Sequence, residues 1–152
     1  MPMIDFTYPA GTITPEAKEK LLDQLAGTLL QWEGAPDNDF YRSITWVYAH
    51  EADAAAGGRP GGESRFRVQV TVPEGVLSDR RKAGLVKDTT ALVLEAAGLS
   101  EADGLRVWTF VNEVPQGNWA AAGAVVDFAA LRGAAKNGDS YTPQATPAPV
   151  TS

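Results

Sequence analysis

The chain has 152 residues, a formal net charge of −6, one histidine and no cysteine. The excess of acid argues against a surface for nucleic acid or anionic membrane. The lack of cysteine excludes disulfides, thiolate nucleophiles and cysteine-ligated zinc, and a lone histidine, His50, excludes a histidine-rich metal centre within one subunit, so neither metal nor cofactor is expected.

A chain of this length is expected to make one domain that buries roughly 68–70% of its unfolded surface, enough to fold without a crosslink. No apolar run approaches the about 18 residues of a membrane span. The opening residues contain Asp5 and no basic stretch, so they do not read as a signal peptide, and a soluble, cytoplasmic protein is expected.

Taken in chain order, the first element is a strand-like run, MIDFTY, directly behind Pro2. Proline is tolerated at the head of a strand because it has no ladder donor to lose. A chemical reading stands beside that one. If Met1 is removed, the Pro2 nitrogen becomes a terminal secondary amine, which can take and give a proton. The turn Pro9-Ala10-Gly11 leads to Thr14 and Pro15, an N-cap followed by a proline at the first helical position. Ala17, Leu21, Leu25, Leu29 and Trp32 then recur at helical spacing, and Gly34 ends the helix. The stretch APDNDFY (35–41) reads as a loop, and RSITWVYAHE (42–51) as a second strand.

The linker ADAAAGGRPGGES occupies 52–64 and has a flexible composition. Beyond it the pattern repeats. RFRVQVTV alternates cleanly, with Phe66, Val68, Val70 and Val72 on one face and Arg65, Arg67, Gln69 and Thr71 on the other. Pro73, Gly75, Ser78 and Gly98 each fall 64 positions after Pro9, Gly11, Thr14 and Gly34. Leu85, Val86, Thr89, Val93 and Ala97 form the second apolar stripe, and LRVWTFVNE the fourth strand, with Trp108 equivalent to Trp46. Both tryptophans are expected in the core. After Leu131, residues 132–152 are rich in Pro, Ala and Thr and are expected to be a disordered tail.

The expected fold class is therefore α/β (α+β in some schemes). Duplicated β-α-β units, each right-handed, form a four-stranded sheet with two helices on one face. One domain spans 2–131: a first unit at 2–51, the linker at 52–64, and a second unit with a C-terminal segment at 65–131. The other sheet face carries Asp5, Thr7, Arg67 and Gln69, so it either meets water or lines an oligomer.

Met-Pro at the head of a strand, the duplicated β-α-β unit and the segment NEVPQGNWAAAG (112–123) together resemble the tautomerase superfamily, which includes 4-oxalocrotonate tautomerase and macrophage migration inhibitory factor. The likeness covers roughly residues 2–128, without the linker, and its length is similar to the long, fused-repeat branch. APDNDFY resembles the matching stretch of malonate semialdehyde decarboxylase, where an aspartate aligned with Asp39 assists the proline. The resemblance implies a homotrimer whose sheets form a barrel, and a cofactor-free enzyme that uses Pro2 to move a proton beside a carbonyl of a small 2-oxo or enol acid. It also implies two alternatives: a decarboxylase or hydratase of 3-oxo acids using Pro2 and Asp39, and a non-catalytic binding protein on the same fold.

The residues can be weighed one by one. A terminal amine titrates near 7.7–8.0 in model peptides, and burial lowers it toward the range a general base needs. Asp39 could orient Pro2 or activate water, or be an ordinary loop acid. Tyr41 could steady an enolate oxygen or be a plain strand residue. Trp119 falls where the resemblance places an aromatic wall over the proline, or it belongs to a core or trimer contact. The family's carboxylate-binding arginines are missing: the turn after the third strand reads Val72-Pro73-Glu74, and Gly11 is followed by Thr12 and Ile13. Arg42 is the first substitute, followed by Arg65, Arg67 and Arg106. His50 and Glu51 read as structural.

Overall fold

The computed structural model describes residues 1–145. Thirteen elements follow the chain: β1 (Met3–Tyr8), α1 (Pro15–Glu33), α2 (Asp39–Ser43), β2 (Trp46–Glu51), β3 (Ala55–Ala56), β4 (Arg59–Pro60), β5 (Phe66–Pro73), α3 (Asp79–Ala96), a 3-10 turn (Glu101–Arg106), β6 (Val107–Val114), β7 (Ala120–Ala121), β8 (Ala124–Val125) and α4 (Phe128–Asn137). Strands β2-β1-β5-β6 form one sheet in that order. β1 pairs parallel with β2 and β5 parallel with β6, while β1 and β5 meet antiparallel, with Ile4 opposite Val70 and Phe6 opposite Val68. Each half is thus the expected β-α-β unit, and a local twofold axis between β1 and β5 relates them.

The caps fall where the sequence puts them. Thr14 Oγ1 accepts from Ala17 N at 3.1 Å and Ser78 Oγ from Arg81 N at 3.3 Å. Gly34 closes α1 with φ of 73°, a left-handed conformation that glycine adopts without penalty. Ile4, Phe6, Tyr8, Val68, Val70 and Val72 face Leu21, Leu25, Leu29, Leu85 and Val93 in one buried core. Burying each such side chain contributes about 1.5–3 kcal/mol, so both helices are held to one sheet face. Gly84 allows the helices to meet closely: a Cβ there would run into the Trp32 ring, and Trp32 Nε1 donates to Asp88 Oδ2 at 2.8 Å.

Several expectations are corrected. Trp46 and Trp108 are not core residues; they are 58% and 66% exposed. Strand alternation puts them beside Met3 and Arg67 on the face without helices. Each indole N–H instead reaches a carbonyl three residues back, Ser43 O and Leu105 O, both at 3.1 Å. Tyr48 and Phe110 stand exposed beside them, so this face is more aromatic at its flanks than the central Asp5, Thr7, Arg67 and Gln69 suggest. His50 Nε2 lies 2.9 Å from Asp5 Oδ1 on the same face.

The stretch 35–41 is not all loop. Asn38 Oδ1 caps Tyr41 N at 3.0 Å and starts α2. The linker holds a small hairpin, β3 with β4. The tail does not begin at 132 either. Asp127 caps α4 by accepting from Ala129 N and Ala130 N, Phe128 and Leu131 bury one side, and alanine favours the helix, so it runs on to Asn137. The expected disorder of 146–152 lies outside the described residues. Among the described residues, no helix is long and apolar enough to cross a membrane.

Candidate functional site

Pro2 precedes β1 and is buried. It lines two cavities. The first, of about 250 Å³, is formed by the start of the chain, the end of α1 at Glu33, Tyr41 of α2, the turn after β5, Arg81 of α3, and one side of α4 including Phe128, Arg132 and Lys136. The second, of about 520 Å³, is apolar in character, with Ile44, Val114 and Trp119 against Met1 and Pro2.

Two features of local folding put these groups together. The antiparallel meeting of β1 and β5 brings the start of one strand beside the end of the other, so the end of α1 and the beginning of α3 gather at the same edge. A clasp then places α4. Gln116 Nε2 donates to Val126 O at 2.8 Å, and Gln116 Oε1 accepts from Phe128 N at 2.9 Å. The segment after β6 thereby folds back over the N-terminus, where Val126, Phe128 and Leu131 form a small second core with Met1, Ile44 and Trp119 packed on it.

The charges in the first cavity are unevenly distributed. Arg81, Arg132 and Lys136 are exposed at its mouth. Arg81 Nη1 donates to the Glu33 backbone carbonyl at 3.2 Å and to Val76 O at 3.4 Å, which anchors its guanidinium at the rim. Glu33 is half-buried, and burial raises its carboxyl to about 7, opposed by the positive charge of the chain terminus. The Met1 amine is lowered from its ordinary value, chiefly by burial and against the pull of Glu33. Tyr41 is buried and its hydroxyl donates to Asp139 O at 2.8 Å. Burial, then the nearby Asp139 charge, raises its phenol.

Of the residues singled out from sequence, Pro2 and Tyr41 share the first cavity, and Pro2 and Trp119 the second. Asp39 and Arg42 are absent from both linings. Asp39 is exposed at the first position of α2. Arg42 is occupied elsewhere: its Nη2 donates to Asp37 Oδ2 at 2.8 Å and its Nη1 to Asp23 Oδ1 at 3.0 Å, tying α2 to α1. Arg65 and Arg67 lie at the opposite end of the sheet, in a groove with Tyr8 and Phe66. Arg106 lines that groove too, held by Ser64 and Asp103. Sequence reasoning missed Glu33, Arg81, Arg132 and Lys136. The repeat itself carried a signal for the first two, since 64 positions relate Glu33 to Ala97 and Arg81 to Ala17.

Residues 67–129 match the protein family described as "Tautomerase enzyme", a span running from β5 into α4. Solved structures with a similar fold include a member of the cis-3-chloroacrylic acid dehalogenase family (23% identity, 82% of this chain and 83% of that one, TM-score 0.68). A fused 4-OT described as a wild-type symmetric trimer is also similar (23%, 84% and 98%, TM-score 0.69). So is a macrophage migration inhibitory factor-like protein from Entamoeba histolytica (18%, 82% and 98%, TM-score 0.66). At these identities the likeness establishes the fold, a mixed α+β architecture shared with tautomerase and inhibitory-factor proteins. No curated protein sequence matches the chain.

Proposed function

We propose that this protein is a cofactor-independent tautomerase that moves a proton between carbon and oxygen in small 2-oxo or enol acids, with Pro2 as general base once Met1 is removed. The observation that carries this reading is the placement of a buried N-terminal proline at a cavity rimmed by three cations, Arg81, Arg132 and Lys136. Burial lowers the terminal amine of Met1 from its ordinary value, and burial of a Pro2 terminus would act in the same direction, toward a neutral amine that can serve as a base. The rim cations hold the substrate carboxylate by charge-assisted hydrogen bonds, and the apolar cavity beside Trp119 receives its hydrocarbon end. Tyr41 lines the same cavity as the rim cations.

The decarboxylating alternative gives Asp39 a part, and Asp39 lies outside the cavity. A scaffold without chemistry leaves the rim cations without a purpose. The exposed aromatic flanks of the sheet face, Trp46, Tyr48, Trp108 and Phe110, form a patch that association would cover, which supports a homotrimer like the fused 4-OT.

The test is ketonisation of an aryl enol-pyruvate by wild type and Pro2→Ala, with intact mass reporting whether Met1 is present. Loss of Met1 and a drop of about 100-fold or more in kcat for Pro2→Ala are expected. Equal rates in the two proteins would sink the proposal. Light scattering should give three subunits.

A further inference from the structure

The sequence pattern assigned no role to Glu33, and its setting is unusual. Glutamates are mostly exposed and solvated, and a desolvated charge is costly unless paired. Glu33 makes no side-chain hydrogen bond or ion pair among the described residues; its neighbour Arg81 binds its backbone carbonyl instead. It ends α1, where no basic residue occupies the last turn. An acid there opposes the negative end of the helix dipole. The equivalent position in the second half is Ala97, so the fold itself has no need of a carboxyl group at this point.

We propose that Glu33 is a second catalytic residue, which exchanges the oxygen-bound proton of the substrate while Pro2 exchanges the carbon-bound one. This rests on the reading of Pro2 given above. In the enolising direction the neutral Pro2 nitrogen takes the proton from the carbon beside the carbonyl. The electrons of that C–H bond form the C=C bond, the carbonyl π pair moves to oxygen, and the Glu33 carboxylic acid protonates that oxygen. Pro2 ends as a cation and Glu33 as a carboxylate. Ketonisation runs the same transfers backwards, so no further reactant is needed.

The titratable groups that line the cavity with Glu33 are the chain terminus before β1, Tyr41 of α2, Arg81 of α3, and Arg132 and Lys136 of α4, and the charge that acts on its carboxyl is that of the terminus. With Met1 in place, burial pushes the carboxyl up to about 7 against the pull of the terminal charge, a shift toward the protonated form that donation needs.

Two measurements test the assignment. In ketonisation, Glu33→Gln is expected to lower kcat about 100-fold with KM little changed, and to remove the ionisation near neutral pH from the rate profile; Glu33→Asp should recover part of the rate. A Glu33→Gln protein with the wild-type kcat and profile overturns the role. Independently of turnover, the Glu33 carboxyl resonance in wild-type protein should titrate near 7, and acetylating the terminal nitrogen should raise that midpoint by removing a positive charge. A carboxyl that titrates in the ordinary range and ignores acetylation overturns the pairing even in an active enzyme. A pair that behaves as expected in a protein inactive on every enol acid overturns the tautomerase reading, and the donation step with it.

Discussion

The two ends of the central sheet are related by the local twofold axis, yet the cavities at them are lined by different groups. At one end lie Pro2, the end of α1 with Glu33, and the start of α3 with Arg81. The twofold maps these onto Phe66, Ala97 and Ala17 at the other end. There Phe66 packs on Phe6 with ring centroids 6.3 Å apart, and its groove carries Arg65 and Arg67 with no buried acid. The repeat gives two equivalent frames, and the differences between the halves put Pro2, Glu33 and Arg81 together at one of them. Positions that keep their residue type across the repeat (Thr14 and Ser78 as caps, Trp46 and Trp108 on the bare face) serve the fold.

The comparison can be broken most forcefully at its two strand heads. Pro2→Ala should abolish most activity and leave thermal stability almost unchanged, whereas Phe66→Ala should cost about 3–5 kcal/mol of stability and leave the rate per folded molecule near wild type. Chemical denaturation beside a turnover assay separates the two. A Pro2→Ala protein that loses stability and keeps its rate would invert the assignment.

Next comes the helix pair. Arg81→Ala should raise KM about tenfold through loss of a charge-assisted contact, with Arg132→Ala and Lys136→Ala following in the same direction. Ala17→Arg, its mirror, should leave KM unchanged, as steady-state kinetics will show. A smaller effect is expected where α1 and α3 touch. Gly84→Ala forces a methyl group into the Trp32 ring and should destabilise the fold by about 1–3 kcal/mol, lowering the melting temperature.

The subtlest effect is on pH. The folded-state Glu33 carboxyl lies near 7, above its ordinary 4.5, so between those values the folded chain binds the extra proton. Stability from this group is present at acid pH and is lost as pH rises to about 7. Denaturation midpoints across that window should fall with pH in wild type and less steeply in Glu33→Gln; parallel curves would remove Glu33 from the ledger.

The fold was legible because both halves write the same local signals twice: an alternating strand, a hydroxyl N-cap, a helical stripe, a terminal glycine. Each signal acts over a few residues, and the repeat confirms it. The site was legible only in part. Pro2, Tyr41 and Trp119 line the two cavities, and chain position and local motif mark all three in the sequence. Asp39 and Arg42 were drawn from a loop that folds as α2, whose cap by Asn38 leaves Asp39 in water and lets Arg42 bind Asp37 and Asp23. Arg132 and Lys136 were hidden by composition. The alanine-rich run around them resembles a solvated tail until Asp127 and the Gln116 clasp give it a start and a surface. Nothing in the spacing of Gln116 announces a contact twelve residues ahead.

The packing of Met1 has one further consequence. Its side chain rests on the small core built by Val126, Phe128 and Leu131, and the same residue lines both cavities that meet at Pro2. On the proposed reading, loss of Met1 would do two things at once: free the Pro2 nitrogen and take away a side chain that walls both cavities.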